Sequence, residues 1–400
     1  MFRSASDLRI LSAITFVTTF GDFLTYFSVV TLIYQIHQSA IAAAFGGVGI
    51  GSAAAVVAGL LVPVLFRFRS TRSLVLISQV LSAVMVVILL VLLRYYRDAA
   101  WPFLLVLFLQ TFFSKLYESA RESHSHGLSD ENTDHLSVQA LILGGLYRAQ
   151  FLGPITAFFL IKVFPIEVPV YFDLATFVLA IAFAMRLKSV IRFEGKVSAF
   201  SSFLYLQSNL ALRRLFVLRT FGFWIPASLF NIVIYENVVA RFGVGVEYSG
   251  VVYALLGFGA LLGALLSTQI VSIKGFAISE NVMAGFSQLG FAITVGLMVF
   301  AEKILWGSFC YFLYGVFMGL NAVSTQAMRR SLCNKSQMPE LIGMETIVSF
   351  GVQFLLSLVV SFYWKSLTGP LQLALLAIAI FYVITAVSFF NFPVRQRSAN

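Results

Sequence analysis

Between Ile10 and Phe392 the sequence repeats one pattern: an apolar run of about twenty residues, a short polar connection, and another apolar run. Each run has the length a helix needs to cross a hydrocarbon core of about 30 Å. In hydrocarbon every backbone N–H and C=O must find its partner inside the protein, and continuous runs of this length do so as helices. Composition agrees, with 60% hydrophobic and only 11% charged residues, where a soluble domain carries about 25%. The expected fold is an all-α membrane protein.

Twelve spans are predicted, at 10–35, 40–65, 73–96, 102–120, 138–163, 168–187, 215–240, 248–272, 280–301, 304–328, 341–364 and 370–392. An even number puts both termini on one side. The net charge of +10 raises the possibility of a nucleic-acid partner, but the placement of the basic residues speaks for a bilayer instead. Only Arg94, Arg97, Lys162, Arg241, Lys303 and Lys365 fall on one set of loops, while most of the rest fall on the other, a bias of about three to one. By that bias both termini are cytoplasmic. The first apolar run lacks a small-residue cleavage site and reads as a retained span. Cys310 and Cys333 are placed in a span and in a loop, where neither supports a disulfide or a reactive thiol.

The two halves of the chain resemble each other. "TTFGDFLTYFSVVTLIYQ" in span one matches "RTFGFWIPASLFNIVIYE" in span seven, "GVGIGSAAA" in span two matches "LLGFGALLG" in span eight, and "RAQFLGP" in span five matches "GVQFLLS" in span eleven. Three matches in the same order indicate a duplicated six-span unit, an architecture that places a transport site at the midplane between the halves. The expected organisation is a bundle over 1–187, a cytoplasmic linker over 188–214 and a second bundle over 215–400. Within the linker, "FSSFLYLQSNLALRRLF" alternates apolar and polar residues at helical spacing, which suits a helix on the inner membrane surface or a short ordered connection. Residues 121–137, "RESHSHGLSDENTDHLS", read as a solvated loop.

The chain resembles the transporters of the major facilitator superfamily over nearly its whole length. More narrowly, it is similar to the drug and siderophore efflux branch of macrolide-efflux and enterobactin-exporter proteins. The stretches that carry this resemblance are "FGDFLTYFSVVTLIYQIHQSA", "FLGPITAFFL", "YFDLATFVLA" and "GVVYALLGFGALLGALL". It implies two pseudo-symmetric six-helix bundles, a small-molecule substrate, coupling to protons, action as a monomer in the cell inner membrane, and no enzymatic activity. One departure stands out. After span two the family has an aspartate where this chain has Pro63, within "GLLVPVLFRFRSTRS". The inner gate then has to rest on other charges. Arg67, Arg69, Arg72, Arg329, Arg330 and Glu345 are the candidates.

Charges inside the membrane cost several kcal/mol unless they face a cavity or a partner. Asp22 lies about 18 Å into span one and Arg148 about 15 Å into span five. By the resemblance these spans are neighbours lining the cavity, so Asp22 and Arg148 are expected to pair and to couple transport to protons. Lys115 and Glu118 stand three apart on span four, within reach of each other, and Lys115 is a secondary cavity candidate. Asp173, Arg219, Glu236 and Glu345 lie toward span ends and are assigned interfacial or gating roles. By resemblance Gln150, Asn231, Asn321 and Gln353 lie on cavity-lining spans, although such residues more often bond helix to helix. Tyr26, Tyr147, Phe223 and Trp224 are candidates for an apolar pocket.

Other chemistries find no support. His124, His126 and His135 share one connection without a third ligand at fixed spacing, so no metal is expected. No glycine-rich phosphate loop is present, so no nucleotide cofactor is expected, and no nucleophile motif suggests an intramembrane enzyme. The sequence leaves three readings: a proton-coupled exporter of a small amphipathic molecule, siderophore or drug-like; an importer or lipid flippase of the same fold; and a non-transporting scaffold or sensor.

Overall fold

The computed structural model describes residues 2–39, 45–96, 100–128, 135–192, 199–224, 226–227, 230, 234–235, 237–272, 279–363 and 370–392. Regular structure among them is helical throughout. Helices α1 (Phe2–His37), α2 (Ile50–Phe68, entered through a π-helical turn at Phe45–Gly49), α3 (Thr71–Tyr95), α4 (Ala100–Gly127), α5 (His135–Val163) and α6 (Glu167–Met185) are the first six spans. Two short helices follow, α7 (Ala199–Ser208) and α8 (Leu210–Arg219), and α8 runs through a π-helical turn, Thr220–Trp224, into the seventh span. Helices α9 (Ser249–Ser272), α10 (Glu280–Met298), α11 (Ile304–Leu332), α12 (Met338–Tyr363) and α13 (Pro370–Phe390) are spans eight to twelve.

Among the described residues, nine helices are long and apolar enough to cross a membrane. Helix α5 is 29 residues long but falls outside that set, because Tyr147, Arg148 and Gln150 interrupt its apolar middle. We call the end of the molecule where α1 begins the terminal face and the opposite end the far face.

In the first half α1 packs on α5 and α6, α3 on α4 and α6, and α2 on α4. In the second half α9 packs on α11, and α10 on α11 and α13. Two seams join the halves, α5 against α9 and α2 against α12. Without a hydrophobic drive between helices in lipid, close packing depends on small residues. Gly259 and Gly263 of α9 meet backbone of α11, and Gly315 and Gly319 of α11 meet backbone of α9, so closely that an added Cβ would overlap carbonyl oxygens.

The connection between the halves is held at both ends. On the first half, the Lys188 and Ser189 amides donate to the Asp7 carboxylate at 3.3 and 2.8 Å, and the Thr71 amide donates to the Ile191 carbonyl at 3.0 Å. On the second half, Tyr205 Oη and Asn209 Nδ2 donate to the Leu332 carbonyl at 3.4 and 3.3 Å, and the Asn209 side chain caps α8 by accepting from the Leu212 amide. Leu206 is buried with Leu212, Cys333, Met338, Leu341 and Ile342. The described part of the linker is two short helices that meet at Asn209. Leu206 and Leu212 pack on α12 and the α11–α12 turn, while Phe203 and Leu210 stay exposed.

Candidate functional site

Asp22 stands on the wall of a cavity of about 180 Å³ lined by Thr19, Asp22, Phe23, Tyr26, Leu107, Gln110, Thr111, Ser114 and Tyr253. Helix α1 aims the carboxylate at α4, where Gln110 Nε2 donates to Oδ1 at 3.3 Å and Ser114 Oγ donates to Oδ2 at 3.1 Å. The same Gln110 Nε2 lies 3.3 Å from Asp173 Oδ2 on α6. Asp173 is wholly buried and also accepts from Thr25 Oγ1 at 2.5 Å and Thr176 Oγ1 at 3.2 Å. One amide therefore ties two carboxylates together. Gly21 makes this possible, because a Cβ there would overlap Thr176 and Asp173. Asp173 was assigned an interfacial or gating role from its position in the span. The structure corrects this to a buried partner of the Asp22 cluster.

The expected Asp22–Arg148 pair is not formed. Arg148 is exposed, and no ion pair of it occurs among the described residues. The reason is azimuth. Gly145 and Gly153 meet the α1 backbone so tightly that no Cβ would fit, and Ala149 between them is fully buried. That stripe at a spacing of four is the face α5 turns to α1, and Arg148, one residue round the helix from Ala149, lies off it.

Of the other expected cavity residues, Tyr26 lines the cavity. Tyr147 is buried in an apolar cluster with Leu143, Ala260 and Ala264 at the α5–α9 seam. Asn321 donates from Nδ2 to Ser287 Oγ at 3.1 Å and so bonds α11 to α10. Gln353 is buried, Gln150 half-buried, and the Gln150 backbone meets Gly257. Trp224 meets Phe223 edge-on and lies tilted against Phe350. Lys115 donates to Glu118 at 2.7 Å and lies over the Phe350 ring. Asn231 and Glu236 lie outside the described residues. Gln110, Ser114 and Tyr253 were missed; nothing in their local sequence separates them from other polar residues in spans.

At the terminal face the charges form a network across the halves. Arg329 of α11 contacts Glu122 of α4 and donates to Glu345 Oε2 of α12 at 2.5 Å, and Arg219 Nε lies 2.9 Å from Glu345 Oε1. Arg330 donates to Ser125 Oγ at 2.5 Å and faces the amide of Gln139. Glu122 and Ser125 belong to α4, which continues to Gly127. The stretch from Arg121 to Gly127 is thus helix and not solvated loop: His124 and His126 are buried, with His124 Nδ1 2.6 Å from Thr71 Oγ1. Among the described residues no cluster could hold a metal. Arg67 and Arg69 are exposed, and Arg72 donates to the Met185 carbonyl within its own half. These three arginines do not bridge the halves as gating residues would. Arg219, one of the residues assigned an interfacial or gating role, is buried against Glu345.

The far face is also bridged. Tyr235 Oη donates to Tyr26 Oη at 2.9 Å, and Phe27 meets the Tyr253 ring edge-on. Lys162 donates to Tyr248 Oη at 3.2 Å and lies 3.8 Å from Glu247. The cavity beside Asp22 therefore lies between two ends that side-chain contacts bridge.

No family model and no curated protein matches the sequence. Solved structures do match the fold. The human organic anion transporter MFSD10 superposes with a TM-score of 0.75 at 14% identity, over 96% of this chain and 99% of that one. The E. coli fucose:proton symporter FucP gives a TM-score of 0.71 at 14% identity, over 98% and 100%. A POT family transporter gives 0.71 at 13%, over 96% and 95%. The chain has the major facilitator fold.

Within this major facilitator fold the proline at position 63 has a clear surrounding. It lies inside α2 where that helix crosses α12. A Cβ on Gly59 would sit 2.8 Å from the Gly343 carbonyl, and one on Gly343 would sit 2.8 Å from the Gly59 carbonyl and 3.1 Å from Pro63 Cγ. At Gly59 and Gly343 the α2–α12 crossing brings backbone against backbone, with Pro63 packed beside it. The charges that bridge the terminal face stand instead between α4, α11 and α12.

Proposed function

We propose that the protein is a secondary active transporter that moves a small amphipathic organic molecule out of the cell in exchange for protons, and is not an enzyme. Halves 1–187 and 215–400 rock about the two seams as a monomer in the cytoplasmic membrane, with both termini and the 188–214 linker on the cytoplasmic side. The observation that carries the reading is Asp22: a carboxylate on the wall of a cavity formed by α1, α4 and Tyr253 of the second half, hydrogen-bonded only to the neutral Gln110 and Ser114 among the described residues. An ion held this way in a low-dielectric interior costs several kcal/mol, and a proton or a positively charged guest removes that cost. The cycle follows. Protonation from the outside lets the empty carrier turn inward, and substrate displaces the proton to the cytoplasm before the loaded carrier turns outward.

The solved structures of like fold include a fucose:proton symporter and an organic anion transporter, which supports coupled transport of a small molecule. Export rests on the Gly153–Pro154 pair in the efflux-type fifth span. In proteoliposomes with an imposed pH gradient, a panel of siderophores and amphipathic drugs should include compounds that move uphill against proton flow. Asp22→Asn should retain downhill exchange and lose uphill accumulation. Uphill pumping by Asp22→Asn at the wild-type rate would show Asp22 to be a packing residue. Accumulation in the same direction as the protons would make the chain an importer.

A further inference from the structure

We propose that the cavity beside Asp22 recognises a protonated primary or secondary amine attached to a single-ring apolar body. The proposal deepens the transporter reading, on which it rests for the consequence of binding, although recognition itself needs no gradient. Three observations carry it. The first is charge. Asp22 has neutral partners, and the nearby Lys115 is engaged by Glu118 at 2.7 Å and by the Phe350 ring. Among the described residues no lining residue is cationic, so their wall offers a negative group and no positive one.

The second is an acceptor with nothing to accept. Gln110 lines the cavity, and its Nε2 is committed to Asp22 and Asp173. That commitment fixes the amide so that Oε1 is the free end, and this atom is buried without a hydrogen-bond partner among the described residues. A buried acceptor left unmade costs about 1–3 kcal/mol. A guest with two or more N–H groups satisfies Gln110 Oε1 and Asp22 together. A quaternary ammonium satisfies only the charge, and a carboxylate neither.

The third is the rest of the wall. Phe23, Tyr26 and Tyr253 supply aromatic rings and Leu107 an aliphatic surface. Ring faces attract a cation within about 6 Å. A volume of about 180 Å³ suits one aromatic ring on a short arm, since an apolar cavity of about 150 Å³ takes one benzene.

The test is equilibrium binding to the purified full-length chain, read by calorimetry and by the rise in Tm. The probes are 2-phenylethylammonium, its N,N,N-trimethyl analogue and 3-phenylpropionate. The primary amine should bind, the trimethyl analogue should bind at least about tenfold more weakly, and the carboxylate should not bind. Asp22→Asn should abolish amine binding and Asp22→Glu should restore part of it, while Gln110→Met should erase the preference for the primary over the trimethyl amine. Equal binding of amine and carboxylate, unchanged amine binding by Asp22→Asn, or no amine binding by a protein that still melts cooperatively would each overturn the proposal. In any of these cases, proton-driven transport that still depends on Asp22 leaves the transporter reading intact, so the two fail separately.

Discussion

Gly21 decides more than its size suggests. It lets α6 approach closely enough for Asp173 to share Gln110 with Asp22. Gly21→Ala should therefore overpack the α1–α6 contact at a cost of about 1–3 kcal/mol, seen as a lowered Tm. Gly296→Ala, where an added Cβ meets nothing within 4 Å, should leave Tm unchanged or raised. Equal Tm values for the two variants would mean that α6 can shift to accommodate the methyl. Cys333 gives a second residue-scale expectation. Burial pushes its thiol up to about 12, so the reactive thiolate is scarce at neutral pH. Maleimide should label it slowly in the folded protein and fast in denaturant; fast labelling of the native chain would contradict its burial. Asp22 was legible in the sequence because a charge stands out against apolar neighbours. Its partner was not. Depth along a helix follows from counting at about 1.5 Å per residue, whereas the direction a residue faces depends on which stripe the neighbouring helix covers. Here that stripe is Gly145, Ala149 and Gly153, and it turns Arg148 aside.

At the scale of elements, the terminal face shows how helix length redistributes charge. The polar stretch after span four looked like a loop because Arg, Glu, Ser and His rarely fill a buried helix end. It continues α4 instead, and so delivers Glu122 to Arg329. Arg329 also pairs with Glu345, so loss of the Glu122 charge removes the contact with α4 and leaves the one with α12. Glu122→Gln should weaken the closed terminal face and speed the labelling of a cysteine placed at Thr19 on the cavity wall, added from that side. An unchanged rate would assign closure to the α2–α12 crossing alone. That crossing carries its own expectation. Pro63→Asp puts an acid beside the close Gly59–Gly343 contact, and should lower Tm rather than strengthen the gate.

For the whole molecule, the sequence was informative because the bilayer allows so few solutions. Runs of span length, a duplicated half and alternating loop charge together imply the fold to which the solved structures correspond. What they did not reveal is how each half meets the other, which depends on glycine placement at the seams. Orientation is open to a direct check. Cysteines introduced by Arg69→Cys and Lys303→Cys stand at exposed positions on the terminal and far faces, with the native Cys310 and Cys333 buried. In intact cells a membrane-impermeant reagent should label the second and spare the first, and the reverse pattern would invert the topology.

The two anchors on the connecting segment bear on that same scale. The first half grips the chain as far as Ile191, through Asp7 and Thr71, and the second half takes hold of α7 through Tyr205 and Asn209. Whatever its arrangement, the segment from Ile191 to the start of α7 at Ala199 can span at most about 3.5 Å per residue. Its length limits how far the terminal ends of the halves can separate. Deleting residues from it one at a time would act as a ruler on the stroke, with transport persisting until the leash is shorter than the opening the substrate needs.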